Sequence, residues 1–354
     1  MTDLTTSVHR SITEVKQGEW NAIVAQQSRT GSVFERYEWL KAYEDATGAS
    51  ARHVQVRKNG TLVGVHPAFV RPIPGTPFRF LGPAKPGSNG AMIATDEAAV
   101  FDAIADEMAA LTGGRTIGHL LRPAGGDSLR YATRLRDRGY FPSVRDCQFV
   151  LDTDRPWDAV AADLSQKKRR NLRKADEAGV SGTDVAVTAD SIDAFAARHA
   201  EHVRRLDGDG ASPEFLRALL AALGDRLQLF RATDAAGDPA GELLAVRDDE
   251  RDCLDLLFPA YDPANFRQFP SEVLYRAAIQ WGIDAGYGTC NFGETTPDFA
   301  DGTFSFKTAF GGRSVPTVRW ERVDSLVGRV LYLLGSDRVV ARLFGSALGR
   351  RPGG

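Results

Sequence analysis

Apolar residues along the chain recur with two periods, and the switches between them outline the elements. A short strand is expected near residues 9–15 and a helix over about 18–26. The stretch 37–47 has helical spacing and is stopped by Gly48. Residues 52–70 alternate on both sides of Asn59-Gly60, the pair most favoured in two-residue hairpins. A Gly/Pro-rich passage over 71–90 reads as a surface or active-site loop. A helix (96–112), a strand (117–122), a helix (128–138) and a strand (146–152) follow. The second half repeats the plan. Residues 157–178 read as one helix, followed by a strand near 183–188 and helices at 191–206 and 213–223. Strands at 226–233, 240–248 and 253–261, a helix at 270–287 and a buried strand at 289–293 come next. Residues 293–312 read as a loop, 314–323 as a strand, and the end as two short amphipathic helices. Mixing both periods throughout predicts an α+β fold.

The length, 354 residues, exceeds one ordinary core, and the repeated order divides it. Two α+β lobes are expected, 1–152 and 153–323, with a helical tail over 324–354. Lys+Arg is 44 and Asp+Glu 46, a balance that speaks against a DNA-binding or generally basic nucleic-acid protein. Cys147, Cys253 and Cys290 are scattered, without a CxxC pair, so neither a disulfide framework nor a cysteine metal site is expected. The N-terminal stretch has no signal-peptide pattern, and no run of about 18 apolar residues suits a membrane span. A cytoplasmic protein is the expectation.

Three features carry candidate chemistry. Six basic residues fall between Lys167 and Lys174 without an acid among them. On a helix Lys167, Arg170 and Lys174 share one face, Arg169 and Arg173 another, and Leu164, Leu172 and Ala175 the buried side. This is either an anion site for phosphates or a solvated face. Lys307, one of eight lysines, lies among Phe304, Phe306 and Phe310. It is either held by aromatic faces and partly desolvated, suited to stabilising developing negative charge, or it snorkels outward from a phenylalanine core. Glu294 leaves a buried strand and is a candidate acid or base. The third feature is Arg267, Gln268 and Ser271 at the start of a helix after a strand, where free N–H groups suit an anion. No glycine lies between Tyr261 and Trp281, so a glycine phosphate cradle is absent. His199 and His202 share a helix face but lack further ligands, and no metal is expected.

Taken together, SVFERYEWLKAYEDATG, LSQKKRRNLRKADEAGV, FPAYDPANFRQFPSEVLYRAAIQWGIDAGYGTCNFG and GTFSFKTAFGG resemble the FemAB-type branch of the GNAT acyltransferase superfamily over roughly residues 15–320. The resemblance implies two GNAT-like lobes and transfer of an acyl or aminoacyl group to an amine. The acceptor would be a small molecule or a cell-envelope, peptidoglycan-like or polysaccharide precursor. It places the family's Phe-Lys pair on Phe306 and Lys307, and the basic helix (Lys167, Arg169, Arg170, Arg173) near the cleft or the donor. The donor would be acyl-CoA or aminoacyl-tRNA, with no permanently bound cofactor. Two departures stand out: Arg267-Gln268-Phe269-Pro270-Ser271 replaces a glycine-containing donor loop, and the helical arm of some tRNA-using relatives is missing. The tail interleaves Arg with apolar residues, which suits either peripheral contact with an anionic inner-membrane surface or packing against the first lobe. The competing readings are a noncatalytic RNA- or phosphate-binding module centred on 167–174 and a scaffold.

Overall fold

A computed structural model describes residues 4–73, 76–124, 127–206 and 210–324. Apart from Asp324, the expected tail lies outside the described residues. The chain divides into two compact units. One takes the residues up to Val144 and resumes at Val318; the other is the uninterrupted stretch Arg145–Thr317.

The first unit opens with β1 (Leu4–His9), α1 (Gln17–Ala22) and α2 (Tyr37–Thr47). Strands β2 (Ser50–Ala51), β3 (His53–Lys58), β4 (Thr61–His66), β5 (Phe69–Pro72), β6 (Arg79–Gly82) and β7 (Met92–Ile93) follow. The unit continues with α3 (Glu97–Ala110), β8 (Thr116–Leu121), α4 (Ala132–Asp137) and the start of β9 (Phe141–Asp152). Gly48 ends α2 in the left-handed region, and Asn59 and Gly60 both take positive φ between β3 and β4, as their side chains allow. Two sheets result. One has the order β1-β3-β4-β7. The other runs from the end of β15 (Arg313–Val323) through β8, β6 and β5 to β2. Val100, Phe101, Ile104 and Met108 of α3 pack on Val54, Val56 and Trp320.

The second unit contains α5 (Trp157–Asp163), α6 (Gln166–Glu177), β10 (Ser181–Val185), α7 (Ala189–Arg205) and α8 (Pro213–Leu223). Next come β11 (Leu227–Thr233), β12 (Pro239–Asp248), β13 (Cys253–Tyr261), α9 (Pro270–Asp284), β14 (Thr289–Thr295) and α10 (Gly302–Ala309). Its strands run β10-β11-β12-β13-β14-β9, antiparallel except for β13 and β14. That one parallel pair needs a crossover, and α9 supplies it. Val273, Leu274, Ala278 and Ile279 of α9 bury against Leu243, Ala245, Leu254 and Leu256. Fully burying each of the larger aliphatic side chains contributes about 1.5–3 kcal/mol before entropy. The core therefore fixes α9, and with it the residues at its N-terminus.

Four elements differ from the pattern-based expectation. The helix over 157–178 is two helices, because Leu164 turns extended (ψ 143°) and Ser165 caps α6, its Oγ accepting from Lys168 N at 3.2 Å. The loop over 293–312 contains α10, started by Asp301, whose Oδ1 accepts from Phe304 N at 2.8 Å. The loop over 71–90 holds β6, paired with both β5 and β8. Near 9–15 the strand ends at His9, and Ile12–Glu14 is a 3₁₀ turn.

Candidate active site

The parallel ladder between β13 and β14 is short. Its last rung pairs Asp255 with Asn291, although β13 runs on to Tyr261. Beyond that rung β14 slips register against β9, between Asn291 and Glu294, with Gly293 at φ +74°. Successive carbonyls of a regular strand point in opposite directions; a bulge breaks that alternation. Here the carbonyls of Gly293 and Glu294 converge, and both accept from Lys307 Nζ, at 3.0 and 2.9 Å.

Lys307 projects from α10 and is only 5% exposed. Burial pushes its ammonium down to about 8, against the raising influence of Cys147 and Asp301. Two of its three donors are used on the carbonyls. A buried cation held by neutral dipoles, with a donor to spare, suits charge that develops during a reaction. Glu294 is half-buried, and its main chain forms part of this cradle. The structure therefore brings Lys307 and Glu294 together, with Phe306 next to Lys307 in the chain.

The cation on the Phe306 ring is a different lysine. Lys168 Nζ lies 3.4 Å from the Phe306 centroid and 5.0 Å from that of Phe310. Lys168 also donates to Glu272 Oε1 at 2.8 Å, the same oxygen that accepts from Asn171 Nδ2 at 2.9 Å. Ser271 Oγ donates to Glu272 Oε2 at 2.8 Å. Burial pushes the Glu272 carboxyl up, but the charge and hydrogen bond of Lys168, with Asn171 and Ser271, leave it below the ordinary carboxylate value. Burial lowers Lys168, and Glu272 opposes it; the short charge-assisted contact keeps both ionised at neutral pH. The ion pair ties α6 to the first turn of α9, and the aromatic contact ties it to α10.

The other expected residues are more open. Lys167, Arg169, Arg170 and Arg173 all lie exposed on α6, and Arg169 donates to the Ala162 carbonyl at 3.3 Å. Arg267 is exposed and Gln268 half-buried at the end of the 3₁₀ segment Pro263–Gln268. Ser271 is committed to Glu272. Phe269, at φ +56°, sits at the N-cap of α9, and Pro270 removes one N–H from its first turn. His199 is satisfied structurally: one ring nitrogen meets the Pro259 carbonyl at 2.7 Å and the other accepts from Ala211 N at 3.2 Å. Among the described residues no group of His, Cys, Asp and Glu is arranged to hold a metal. Sequence reasoning missed Lys168, Glu272, Asp255 and Asn291. For Lys168 a signal existed, since it stands four residues from both Leu164 and Leu172 and so shares their buried side.

Residues 162–308, which include α6, α9, the β14 bulge and α10, match the acetyltransferase (GNAT) domain family. No curated protein matches the sequence. Among solved structures the chain is similar to FemX, with a TM-score of 0.70 at 13% identity, covering 94% of this chain and 100% of that one. It is also similar to the C-terminal domain of a putative lysylphosphatidylglycerol synthetase from Agrobacterium fabrum, with TM-score 0.58, 10% identity and coverage of 97% and 100%. A tandem GNAT protein from the clavulanic acid biosynthesis pathway matches with TM-score 0.55, 12% identity and coverage of 91% and 99%. At these identities the likeness concerns the fold. The chain thus has a tandem GNAT fold, and residues 162–308, within its second unit, match the GNAT acetyltransferase domain.

Proposed function

We propose that the protein is an N-acyltransferase that joins an acyl or aminoacyl group to the amine of a cell-envelope or polysaccharide precursor. The observation that carries the reading is the buried Lys307 ammonium on the paired carbonyls of Gly293 and Glu294. The name of one similar structure, a putative lysylphosphatidylglycerol synthetase, supports an acceptor that belongs to the cell envelope. In the reaction a neutral amine attacks the donor carbonyl, a C–N bond forms, and the C–S or C–O bond of the donor breaks. Lys307 stabilises the oxyanion and passes a proton to the departing thiol or hydroxyl. The Glu294 carboxylate takes the proton that the amine loses. Phe306 borders the centre as the neighbour of Lys307.

The donor is an acyl-CoA or an aminoacyl-tRNA. Both carry phosphates, and the exposed Lys167, Arg169, Arg170 and Arg173, with Arg267 and Gln268 just ahead of α9, are assigned to them; Ser271, whose hydroxyl is given to Glu272, is not. The missing glycines and Pro270 weigh against a diphosphate cradled by successive N–H groups there. The protein is assigned to the cytoplasm, at the inner membrane surface. Among the described residues no helix is long and apolar enough to cross a membrane.

The test supplies acetyl-CoA, a long-chain acyl-CoA or charged tRNA together with amine-bearing envelope precursors, and detects the amide by mass spectrometry. Lys307→Met is expected to lower turnover by about 10²–10³, the loss typical of one oxyanion donor. Turnover of the parent protein is expected to fall as pH rises through about 8, where Lys307 loses its proton. Transfer from none of the donors, or full turnover by Lys307→Met, would overturn the proposal.

A further inference from the structure

The Lys307 cradle depends on a polar chain that enters from the last rung of the parallel ladder. Asp255 and Asn291 face each other there and are 1% and 2% exposed. Asn291 Nδ2 donates to Asp255 Oδ1 at 2.6 Å, with a longer contact of 3.4 Å to Gln148 Oε1. The other end of the same amide turns forward, and Asn291 Oδ1 accepts from Gly293 N at 3.0 Å. The Gly293 carbonyl then accepts from Lys307 Nζ. Four groups thus form one line: carboxyl, amide side chain, main-chain amide, ammonium.

A polar group buried this deeply costs about 1–3 kcal/mol unless it is paired. Leu254, Cys290 and Phe292, the neighbours of Asp255 and Asn291 along their strands, are buried and apolar. An aliphatic pair at the rung would fill the same space without that cost. What an aliphatic pair cannot do is hold Gly293 N, and Gly293 is the residue whose left-handed φ turns two successive carbonyls towards one point. A Cβ at Gly293 would meet the Leu256 carbonyl at 3.2 Å, so the bulge also lies tight against β13.

We infer that Asn291, anchored by Asp255, is a positioning residue that sets the Gly293–Glu294 bulge and thereby the protonation and reach of Lys307. This rests on the assignment of Lys307 above. The groups facing Lys307 are Cys147 of β9, Asp301 at the start of α10 and the Glu294 main chain. Cys147 and Asp301 keep their chemistry in a change at Asn291, which acts on Lys307 through the main chain alone.

Competitive labelling with acetic anhydride tests the inference without any substrate. The Lys307 peptide is followed by mass spectrometry across pH, with the other seven lysines as internal references. The parent protein should show a Lys307 midpoint near 8. In Asn291→Leu the ammonium stays buried but loses fixed acceptors, so the midpoint falls by about one pH unit. Asp255→Asn still offers an oxygen to Asn291 and should keep the parent midpoint, whereas Asp255→Leu should follow Asn291→Leu. Cys290→Ala, equally buried on the apolar side of β14, should leave the midpoint in place. If Asn291→Leu does not fold, Asn291→Ser replaces it with the same expected fall. An unchanged midpoint in the Asn291 variants, or an equal fall in Cys290→Ala, would overturn the inference and leave the role of Lys307 standing. A parent midpoint at the ordinary lysine value would instead remove the basis for that role.

Discussion

Replacing Glu272 by glutamine tests whether the α6–α9 connection holds the second unit together. Lys168 and Glu272 meet at 2.8 Å with side chains 6% and 7% exposed, so almost no water screens the pair. At an effective dielectric of about 20, two charges at this separation attract by roughly 6 kcal/mol. Desolvation consumes much of that gain, which is why an intact buried pair adds little. Removing one partner is different, because it leaves a charge buried without compensation and costs about 3–5 kcal/mol. The amide introduced by Glu272→Gln would keep a hydrogen bond to Lys168, so the lower figure, about 3 kcal/mol, is expected. In a unit of this size that lowers Tm by roughly 6–12 °C. Lys168→Met fills the space over Phe306 and leaves Glu272 to Asn171 and Ser271. Combining Lys168→Met with Glu272→Gln leaves no charge buried, and the double variant should recover at least about 2 kcal/mol relative to the sum of the singles. Urea denaturation at neutral pH, read by hydrogen exchange in α6 and α9 peptides, measures all three. The carboxyl sits below its ordinary value, so its contribution is present above the unfolded value and is lost as pH falls through the folded one. Glu272→Gln should erase that acid limb. Losses under about 1 kcal/mol, or strictly additive singles, would refute the reasoning.

Two further outcomes follow from buried groups. Burial holds His66 at about 4, although its Nδ1 meets the Gly90 carbonyl at 3.1 Å. Its contribution to stability is complete above the unfolded value near 6.5 and declines as pH falls towards 4, by about 1.4 kcal/mol per unit. His119, also held at about 4 by burial, adds to the same slope. Thermal unfolding of His66→Gln between about pH 7 and 4.5 should therefore show a shallower decline than the parent, and an equal decline would refute this. Gly293→Ala should cost about 1–2 kcal/mol for its left-handed φ and move the Lys307 labelling midpoint, whereas Gly237→Ala, at φ +88° with open space around it, should cost a similar amount without moving it.

Local chemistry was readable wherever it acted within a few residues. Asn59-Gly60 and Gly48 announced a turn and a helix end because their backbone requirements are their own. The three strands from Leu227 to Tyr261 showed as short apolar runs, and Pro213 and Ser212 marked the start of α8. Lys307 and Phe306 stood out through scarcity and through resemblance. Other features depended on partners far along the chain. Lys168 sits in a run of charge that looks solvated until Glu272, 104 residues later, is folded against it. Asp255 and Asn291 are ordinary polar letters inside apolar strands; only the ladder that pairs them reveals their use. The break at Leu164–Ser165 was masked by helix formers on both sides, although Ser165 is a good cap. Helix α10 was hidden by Gly302, Gly311 and Gly312, while its start depends on one aspartate oxygen.

The interrupted path of the first unit has a bearing on how the protein is born. Trp320 enters a core laid down by Val54, Phe101 and Tyr131, and Glu321 accepts a hydrogen bond from Ser143, 178 positions earlier. A ribosome releases the intervening stretch, Arg145–Thr317, as one uninterrupted segment. At roughly 5–20 residues per second, many seconds pass between synthesis of Ser143 and arrival of its partner. During that interval the earlier-made unit must wait with a vacant strand position and an unfinished core. The inserted unit draws its compact body from Arg145–Thr317. Assembly is therefore expected to reverse the order of synthesis, and nascent chains halted before Val318 should display protease resistance in the second unit ahead of the first.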